Sequence, residues 1–472
     1  MLDDTIAAIA TPLGEGGLAM IRLSGSQALA VANRCFVPVG PDSRAPSTAA
    51  THTLHYGRIV RAGHPVDEVL LAVMLAPRTY TREDVVEITC HGGILSAKLV
   101  LDTVLENGAR PALPGEFTRR AFLNGRLDLA QAEAVADLIH SRTELALSAA
   151  HEQLAGKLSQ RINQLRDDLL HTLAHVEAHI DFPEEDISPD TRAQLIARLE
   201  RGVGFMDELL RTANEGQILR RGIRAAIIGR PNVGKSSLLN QLLGHDRAIV
   251  SSIAGTTRDT IEETANIRGL PVVFVDTAGL REAGDEIEIE GIRRSRASLA
   301  KAEFILHVFD ASESLTAADE KHLVEFAAKK RILVRNKIDL PTRLTLPPLS
   351  LPAEILSPLQ GERKGMRGQI VDVCCLTGQG IEPLKDAIKE LVWSGEINAG
   401  MLQVMINSRH QDALRRAREA ALRTLEALRA DATLELVALD LHIAVNAVGE
   451  IVGRTTTEDL LDSIFSQFCI GK

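Results

Sequence analysis

The stretch GRPNVGKSS (229–237) satisfies G-x-x-x-x-G-K-[ST] and decides the fold of the segment around it. It follows a strand-like run, AAIIG, and opens a helix-like one, SSLLNQLLG, which is the context such a loop needs. Its glycines let successive backbone N–H groups converge on phosphates at a helix N-terminus. Lys235 then reaches the β- and γ-phosphates, and the Ser236 hydroxyl ligates Mg2+. One match to so short a pattern can arise by chance, but further motifs follow in chain order. DTAG (276–279) ends the run PVVFV and puts Asp276 near the metal and Gly279 near the γ-phosphate. NKID (336–339) ends RILVR, and its Asp339 can accept from the N1–H and 2-amino groups of guanine, a pattern adenine lacks. CCLTGQG (374–380) falls where a loop over the base is expected, and AGTTRD (254–259) supplies Thr257 as a switch threonine on Mg2+. Together these imply a GTP-hydrolysing α/β domain.

The nucleotide set read from the motifs begins with Asn232, Val233, Gly234, Lys235, Ser236 and Ser237. It continues with Ser251, Ser252, Ile253, Ala254, Gly255, Thr256 and Thr257, then Asp276, Thr277, Ala278 and Gly279. Asn336, Lys337, Asp339, Cys374, Cys375 and Leu376 complete it. Two features bear on hydrolysis. Leu280 follows DTAG where small signalling GTPases carry the Gln that orients water, and a leucine cannot position a nucleophile. Asn232 sits in P-N-x-G-K-S beside a long first switch with two threonines. That pairing is compatible with a monovalent cation placed where an arginine finger otherwise neutralises charge. The run EAGDEIEIEGIRRSR (282–296) offers acids for positioning water, although a solvated charge run is the better account of Glu282, Asp285, Glu286 and Glu290.

A chain of 472 residues should hold about three domains. It is 45% hydrophobic and 25% charged, ordinary globular material. Its formal charge of −10 provides no global attraction for nucleic acid, and one Trp, two Tyr and 11 Phe argue against a broad stacking platform. Any RNA contact must be local or shared with a partner. Cys35, Cys90, Cys374, Cys375 and Cys469 show no C-x-x-C or metal spacing, and a sparse odd set suits a reducing cytoplasm. MLDDTIAAIATPLGEGG is not a signal peptide, and no apolar run reaches the length of about 18 residues that a membrane span requires.

Residues 1–120 read as α+β, with strand-like AMIRLSG (19–25), EVLLAVML (68–75) and DVVEITC (84–90) before a helical run at 94–109. Residues 121–218 read as almost continuously helical until Pro183. Residues 219–394 alternate strands and helices, the signature of a parallel sheet. Residues 395–472 are helical again. The fold expectation is therefore multidomain: an α+β N-terminal domain, an all-α domain in two parts (121–218 and 395–472), and an α/β P-loop domain inserted between them.

At full length the chain resembles the tRNA modification GTPase MnmE (TrmE) family, of the TrmE-Era-EngA-like class. The resemblance rests on GRPNVGKSS, SIAGTTRD, DTAGLRE, IDFPEED (180–186), FLNGRLDLAQAEA (122–134) and the closing FCIGK. It implies a K+-stimulated homodimer, with K+ on Asn232, Ser251, Ile253 and Thr256, Mg2+ on Ser236 and Thr257, and Glu288 as the catalytic acid that bridges to water. It implies an FAD-binding partner, MnmG, in a heterotetramer-type complex that places a carboxymethylaminomethyl group on the 5-position of wobble uridine in certain tRNAs. The carbon would come from a tetrahydrofolate derivative held by the N-terminal domain at Arg22, Glu87, Arg126 and Lys472. Arginines suit folate carboxylates, and a glutamate suits the aminopyrimidine edge. Each has a plainer account: a strand-edge cap, a solvated strand position, or pairing of Arg126 with Asp128 or Glu133. Three departures stand out: Arg126 where many relatives carry Lys, Cys374-Cys375-Leu376 in place of Ser-Ala-x, and a long proline-rich stretch at 341–368.

Cys469-Ile470-Gly471-Lys472 is placed like a prenylation box, but Gly471 and Lys472 are wrong for its last positions. LLDSIFSQF (460–468) is amphipathic and should dock the segment. A reactive thiol is the remaining reading, and the resemblance makes Cys469 a candidate for the modification chemistry. His171, His175 and His179 share a helix face, and an ordinary polar face explains them better than a metal. Cys90-His91 reads as a packing cysteine and a loop histidine. Arg409 to Arg418 is a weak candidate for tRNA phosphate contact. The alternative function is a ribosome-assembly switch without covalent chemistry, which would need neither Cys469 nor the Arg22/Glu87 domain.

Overall fold

The computed structural model describes residues 4–40, 44–181, 192–244, 262–275, 301–346, 369–393, 405–430 and 432–472. The chain divides into two compact units. One comprises Met1–Ala136, Gln153–Glu208 and Arg409–Lys472, and the other Asp137–Glu152 and Leu209–Ser408.

The first unit opens with a seven-stranded sheet: β1 (Ile6–Ile9), β2 (Leu18–Ser24), β3 (Phe36–Pro38), β4 (Thr53–Arg61), β5 (His64–Met74), β6 (Val85–His91) and β7 (Arg110–Pro111). Its order is β3-β4-β5-β6-β2-β1-β7, antiparallel throughout except for β1 with β7. Side chains alternate across such a sheet. Ile21, Leu23, Leu71, Val73, Val86 and Ile88 therefore enter one core, joined by Val31 of the helix Ala28–Cys35 and by Val100 and Val104 of Ile94–Glu106. The opposite face carries Arg22, whose register partner is Glu87. The three expected strands and the expected helix overlap β2, β5, β6 and Ile94–Glu106, overrunning them by one residue each for the strands and by three for the helix.

The helical part is less continuous than the sequence suggests. Leu129–His140, Glu144–Leu154 and Lys157–Asp181 are separate helices, and Gly125 and Gly156 take left-handed conformations (φ +68° and +82°) at two of the breaks. An uninterrupted apolar pattern concealed both turns. Lys157–Asp181 buries Leu158, Ile162, Leu165, Leu169, Leu173 and Val176, a stripe at helical spacing that packs against Leu434–Val452. Deeper lies a charged hub. Arg409 grips both oxygens of Glu133 at 2.9 Å, and His410 Nε2 lies 2.8 Å from Glu133 Oε2. The same guanidinium donates to the carbonyls of Glu450 and Ile451 in the last turn of Leu434–Val452, where carbonyls lack intrahelical partners and Glu450 also accepts from the capping Gly453 amide. Burial disfavours the Glu133 carboxylate, but the His410 and Arg409 charges prevail and hold its pKa well below the usual range.

The second unit is a six-stranded sheet: β8 (Ile223–Ile228), β9 (Glu263–Ile267), β10 (Leu270–Phe274), β11 (Phe304–Asp310), β12 (Arg331–Asn336) and β13 (Gln369–Asp372). The order is β13-β12-β11-β8-β10-β9, parallel except for the β9–β10 hairpin. Arg268 and Gly269 form the turn of that hairpin with φ of +54° and +88°, the signs a type I′ turn requires. β11 is buried along its whole length, as a central parallel strand should be. It buries His307 with neither ring nitrogen hydrogen-bonded. Among the described residues no helix is long and apolar enough to cross a membrane.

Candidate functional site

Between β8 and the helix Lys235–Leu243, the loop Gly229–Gly234 turns tightly. Asn232 is left-handed (φ +60°), and Gly234 (φ +97°) would place a Cβ 2.1 Å from Asn336 Nδ2, so only glycine fits there. Lys235 Nζ donates to the Arg230 carbonyl at 2.7 Å, and burial lowers its pKa. Asn336, at the end of β12, donates from Nδ2 to the Val233 carbonyl at 2.9 Å and accepts at Oδ1 from the Cys375 amide at 3.1 Å. Gln241, on the helix that follows the phosphate loop, donates to the Cys375 carbonyl at 2.8 Å. One chain of hydrogen bonds thus joins the phosphate loop, the NKID strand end and the base loop. Gln241 escaped sequence reasoning because no motif contains it.

Lys337 is also left-handed (φ +64°) and sends its amine to Asp310 Oδ2 at 2.6 Å. Burial opposes ionisation of Asp310, but hydrogen bonds from Lys337 and Ser312 outweigh it and lower its pKa. Asp339 is exposed, with the Cys374 thiol donating to its Oδ1 at 3.2 Å. Leu376 points away into solvent, 86% exposed. Ser251, Ser252, Ile253, Ala254, Gly255, Thr256, Thr257, Asp276, Thr277, Ala278, Gly279, Leu280 and Glu288 lie outside the described residues, as does the proline-rich stretch from 347 to 368.

A second constellation occupies the first unit. Arg22 Nε donates to Glu87 Oε1 at 2.8 Å, and its Nη1 donates to the Gly471 carbonyl at 3.3 Å. Its guanidinium carbon lies 5.9 Å from the Tyr80 ring centroid and 5.8 Å from that of Phe117, while Arg126 covers Tyr80 at 4.8 Å. Lys472 is half-buried, and burial and the Arg22 charge both lower its pKa. Arg22 and Arg126, far apart in sequence, thus meet at the Tyr80 ring, while Glu87 pairs with Arg22 and Lys472 lies near enough to feel the charges of both Arg22 and Glu87. Arg126 pairs with neither Asp128 nor Glu133. The latter belongs to Arg409 and His410. Glu87 Oε2 has no partner among the described residues. The Cys469 thiol is exposed, while its carbonyl accepts from the Gly115 and Lys472 amides. Tyr80 and Phe117 were missed because scattered aromatics carry no motif.

The remaining sequence candidates resolve locally. Cys90 is buried, its thiol pushed up to about 11 chiefly by desolvation, and His91 is held by Asp67 at 2.6 Å. Most of the basic run from Arg409 is committed to acids, Arg416 to Asp412 and Glu450 and Arg418 to Asp207, while Arg415 is exposed with no acidic partner among the described residues. That is a poor arrangement for phosphate contact.

A parallel sheet with a glycine loop feeding a helix, and an Asn-Lys-x-Asp strand end tied to that loop, defines a P-loop GTPase; here it accompanies a sheet-and-helix unit with its own polar cluster. Two family models match the chain: the MnmE helical domain over residues 129–469 and the GTP-binding protein TrmE N-terminus over residues 5–126. The tRNA modification GTPase MnmE of Geobacillus kaustophilus is 47% identical across 99% of both chains, and that of Moorella thermoacetica is 47% identical across all of both. Among solved structures, Era in complex with MgGDPNP and a 16S ribosomal RNA fragment is 30% identical over 42% of this chain and 66% of that one, at a TM-score of 0.25. The chain belongs to the MnmE family of tRNA modification GTPases and is a GTP hydrolase.

Proposed function

We propose that this GTPase is K+-stimulated, works as a cytoplasmic homodimer with an FAD-binding partner of the MnmG kind, and drives folate-dependent aminomethyl-type modification of wobble uridine at the 5-position. The observation that carries this reading is the cluster centred on Arg22, which pairs with Glu87, shares the Tyr80 ring with Arg126 and lies near the Lys472 amine. The donor set fits a tetrahydrofolate derivative. Glu87 offers an acceptor oxygen to an aminopyrimidine edge, Tyr80 and Phe117 offer flat faces, and the cations offer partners for glutamate-tail carboxylates. Bound there, the folate would supply the one-carbon unit. The chain's own residues would orient it and keep its ring out of water, with the exposed Cys469 nearby as a candidate reacting group.

In the GTPase unit, Lys235 and Ser236 stand at a helix N-terminus, where phosphate and Mg2+ chemistry fits. Mg2+ ligation by Ser236 and Thr257, K+ ligation by Asn232, Ser251, Ile253 and Thr256, and proton handling by Glu288 belong to this proposal. So does the division into residues 1–120, 121–218, 219–394 and 395–472; the discontinuous makeup of the first unit supports a helical part interrupted in the chain, while Asp137–Glu152 groups with the GTPase unit. The decisive experiment is mass spectrometry of nucleosides from tRNA of a strain lacking the gene. Loss of 5-substituted wobble uridines, restored by wild type and not by Cys469→Ser, is the expected outcome. Unchanged nucleosides with accumulating ribosomal precursors would overturn the reading in favour of an assembly switch.

A further inference from the structure

With Arg409, Arg416 and Arg418 committed to acids and Arg415 left as a single exposed cation, the question is where several free cations lie together. Arg78, Arg82 and Arg126 lie on two interlocked loops of the first unit and are all exposed. Arg82 Nη1 donates to the Asn124 carbonyl at 2.9 Å, and Arg126 Nη1 makes a long contact of 3.4 Å to the Tyr80 carbonyl. No acidic side chain pairs with any of the three among the described residues. The acids of the same loop are engaged elsewhere. Glu83 takes Arg120 and Ser24, and Asp84 accepts from the Ala76 amide.

In a chain of net charge −10, such a set of unneutralised guanidiniums is a local concentration of positive potential. It adjoins the polar cluster through direct contacts: Arg126 covers Tyr80, Tyr80 neighbours Arg22, and Arg22 reaches the carbonyl of Gly471, two residues after Cys469. We propose that Arg78, Arg82 and Arg126 form a phosphate-binding fork that holds the backbone of the RNA substrate beside the Cys469–Lys472 segment. This rests on the reading of that segment as the place of modification. A guanidinium binds phosphate bidentately, and contacts of this kind set position without reading sequence. The half-buried Arg22 and Lys472 suit a small ligand entering the cluster; the exposed Arg78 and Arg82 suit a polyanion lying across the surface, and Arg126, exposed yet over the Tyr80 ring, borders both.

The test measures binding of an unmodified tRNA transcript to the full-length protein by fluorescence anisotropy over a series of sodium chloride concentrations, without nucleotide. For Arg78→Ala/Arg82→Ala, affinity at low salt should fall roughly tenfold and the slope of log affinity against log salt should shrink by about 1 to 2. Lysine at both positions should restore most of the slope. Arg78→Glu serves as a variant safe for folding, because Arg78 makes no hydrogen bond or ion pair among the described residues. It should weaken tRNA binding at an unaltered melting temperature. Unchanged affinity and slope in all variants would overturn the proposal. So would intact tRNA binding with weakened binding of a polyglutamylated tetrahydrofolate, which would assign the arginines to the cofactor tail. Should the fork variants lose tRNA affinity while Cys469→Ser retains full modification, the fork stands and the assignment of the thiol falls.

Discussion

The two constellations are built in opposite ways. The nucleotide site is made from short contiguous motifs at the ends of parallel strands, and its key contacts run from backbone to side chain, as in Asn336 to Val233 and Cys375. The cluster around Tyr80 collects single residues from β2, β6, two loops and the Cys469–Lys472 segment, and its contacts are between charges and rings. A loop that cradles phosphate needs particular backbone angles, and those leave a local signature in glycine and asparagine. A pocket lined by side chains needs only that a fold bring them together.

If that contrast is sound, the first unit should be vulnerable at a single distant pairing. Glu133→Ala strands Arg409 and His410 in a buried site, and breaking such a pair costs about 3–5 kcal/mol. Denaturant unfolding should show a loss of that size, and folate binding should go with it. A loss below about 1 kcal/mol, within the range of exposed pairs, would mean that the hub does not hold the unit together.

The nucleotide site should instead fail locally. Asp339→Asn removes an acceptor for the guanine edge, so GTP affinity should drop at least about a hundredfold, with xanthosine triphosphate gaining. Folate affinity of the same variant should be unchanged, and a parallel loss would erase the distinction between the two sites.

An effect confined to acid pH, and small near neutrality, is expected from His307. Burial, and then the charges of His322 and Arg331, push its pKa down to about 3, with Asp319 opposing weakly. The unfolded chain takes up the proton near pH 6.5, so stability of this unit should decline as pH falls from about 6.5 towards 3, by at most about 1.4 kcal/mol per unit. His307→Phe should flatten that slope in thermal melts taken across the window. An unchanged slope would assign the acid sensitivity to other groups.

The smallest effect concerns the thiol on Asp339. Cys374→Ala should raise the Kd for GTP about 2–10-fold, the worth of one hydrogen bond, while Cys374→Ser, which keeps a donor, should stay near wild type. Equal effects in both variants would show that the loop backbone, not the donor, supports the base.

The same contrast explains what could be read beforehand. The order of strands and helices in the GTPase unit, its phosphate loop and its base-reading strand end were legible, because backbone requirements are written in consecutive letters. The edge strand β9 was not, since Glu263–Ile267 is short and only Arg268-Gly269 marks its turn. The breaks at Gly125 and Gly156 were hidden by apolar spacing that runs on past them. Arg22, Glu87, Arg126 and Lys472 became candidates by resemblance to a family rather than by pattern. Tyr80, which meets Arg22 and Arg126, and Phe117, which meets Arg22, carried no signal at all.

The Glu133 hub also sets a timetable. Glu133 and Arg409 are 276 residues apart in the chain. At roughly 5–20 residues per second, a ribosome takes about 14–55 s to travel between them. For that interval the nascent Leu129–His140 segment carries a carboxylate destined for the interior with no cation to receive it, and the whole GTPase unit is made in the meantime. A chain organised this way should complete its nucleotide-binding unit first and close the other unit last, so truncated nascent chains ending before Arg409 should bind GTP before the first unit resists protease.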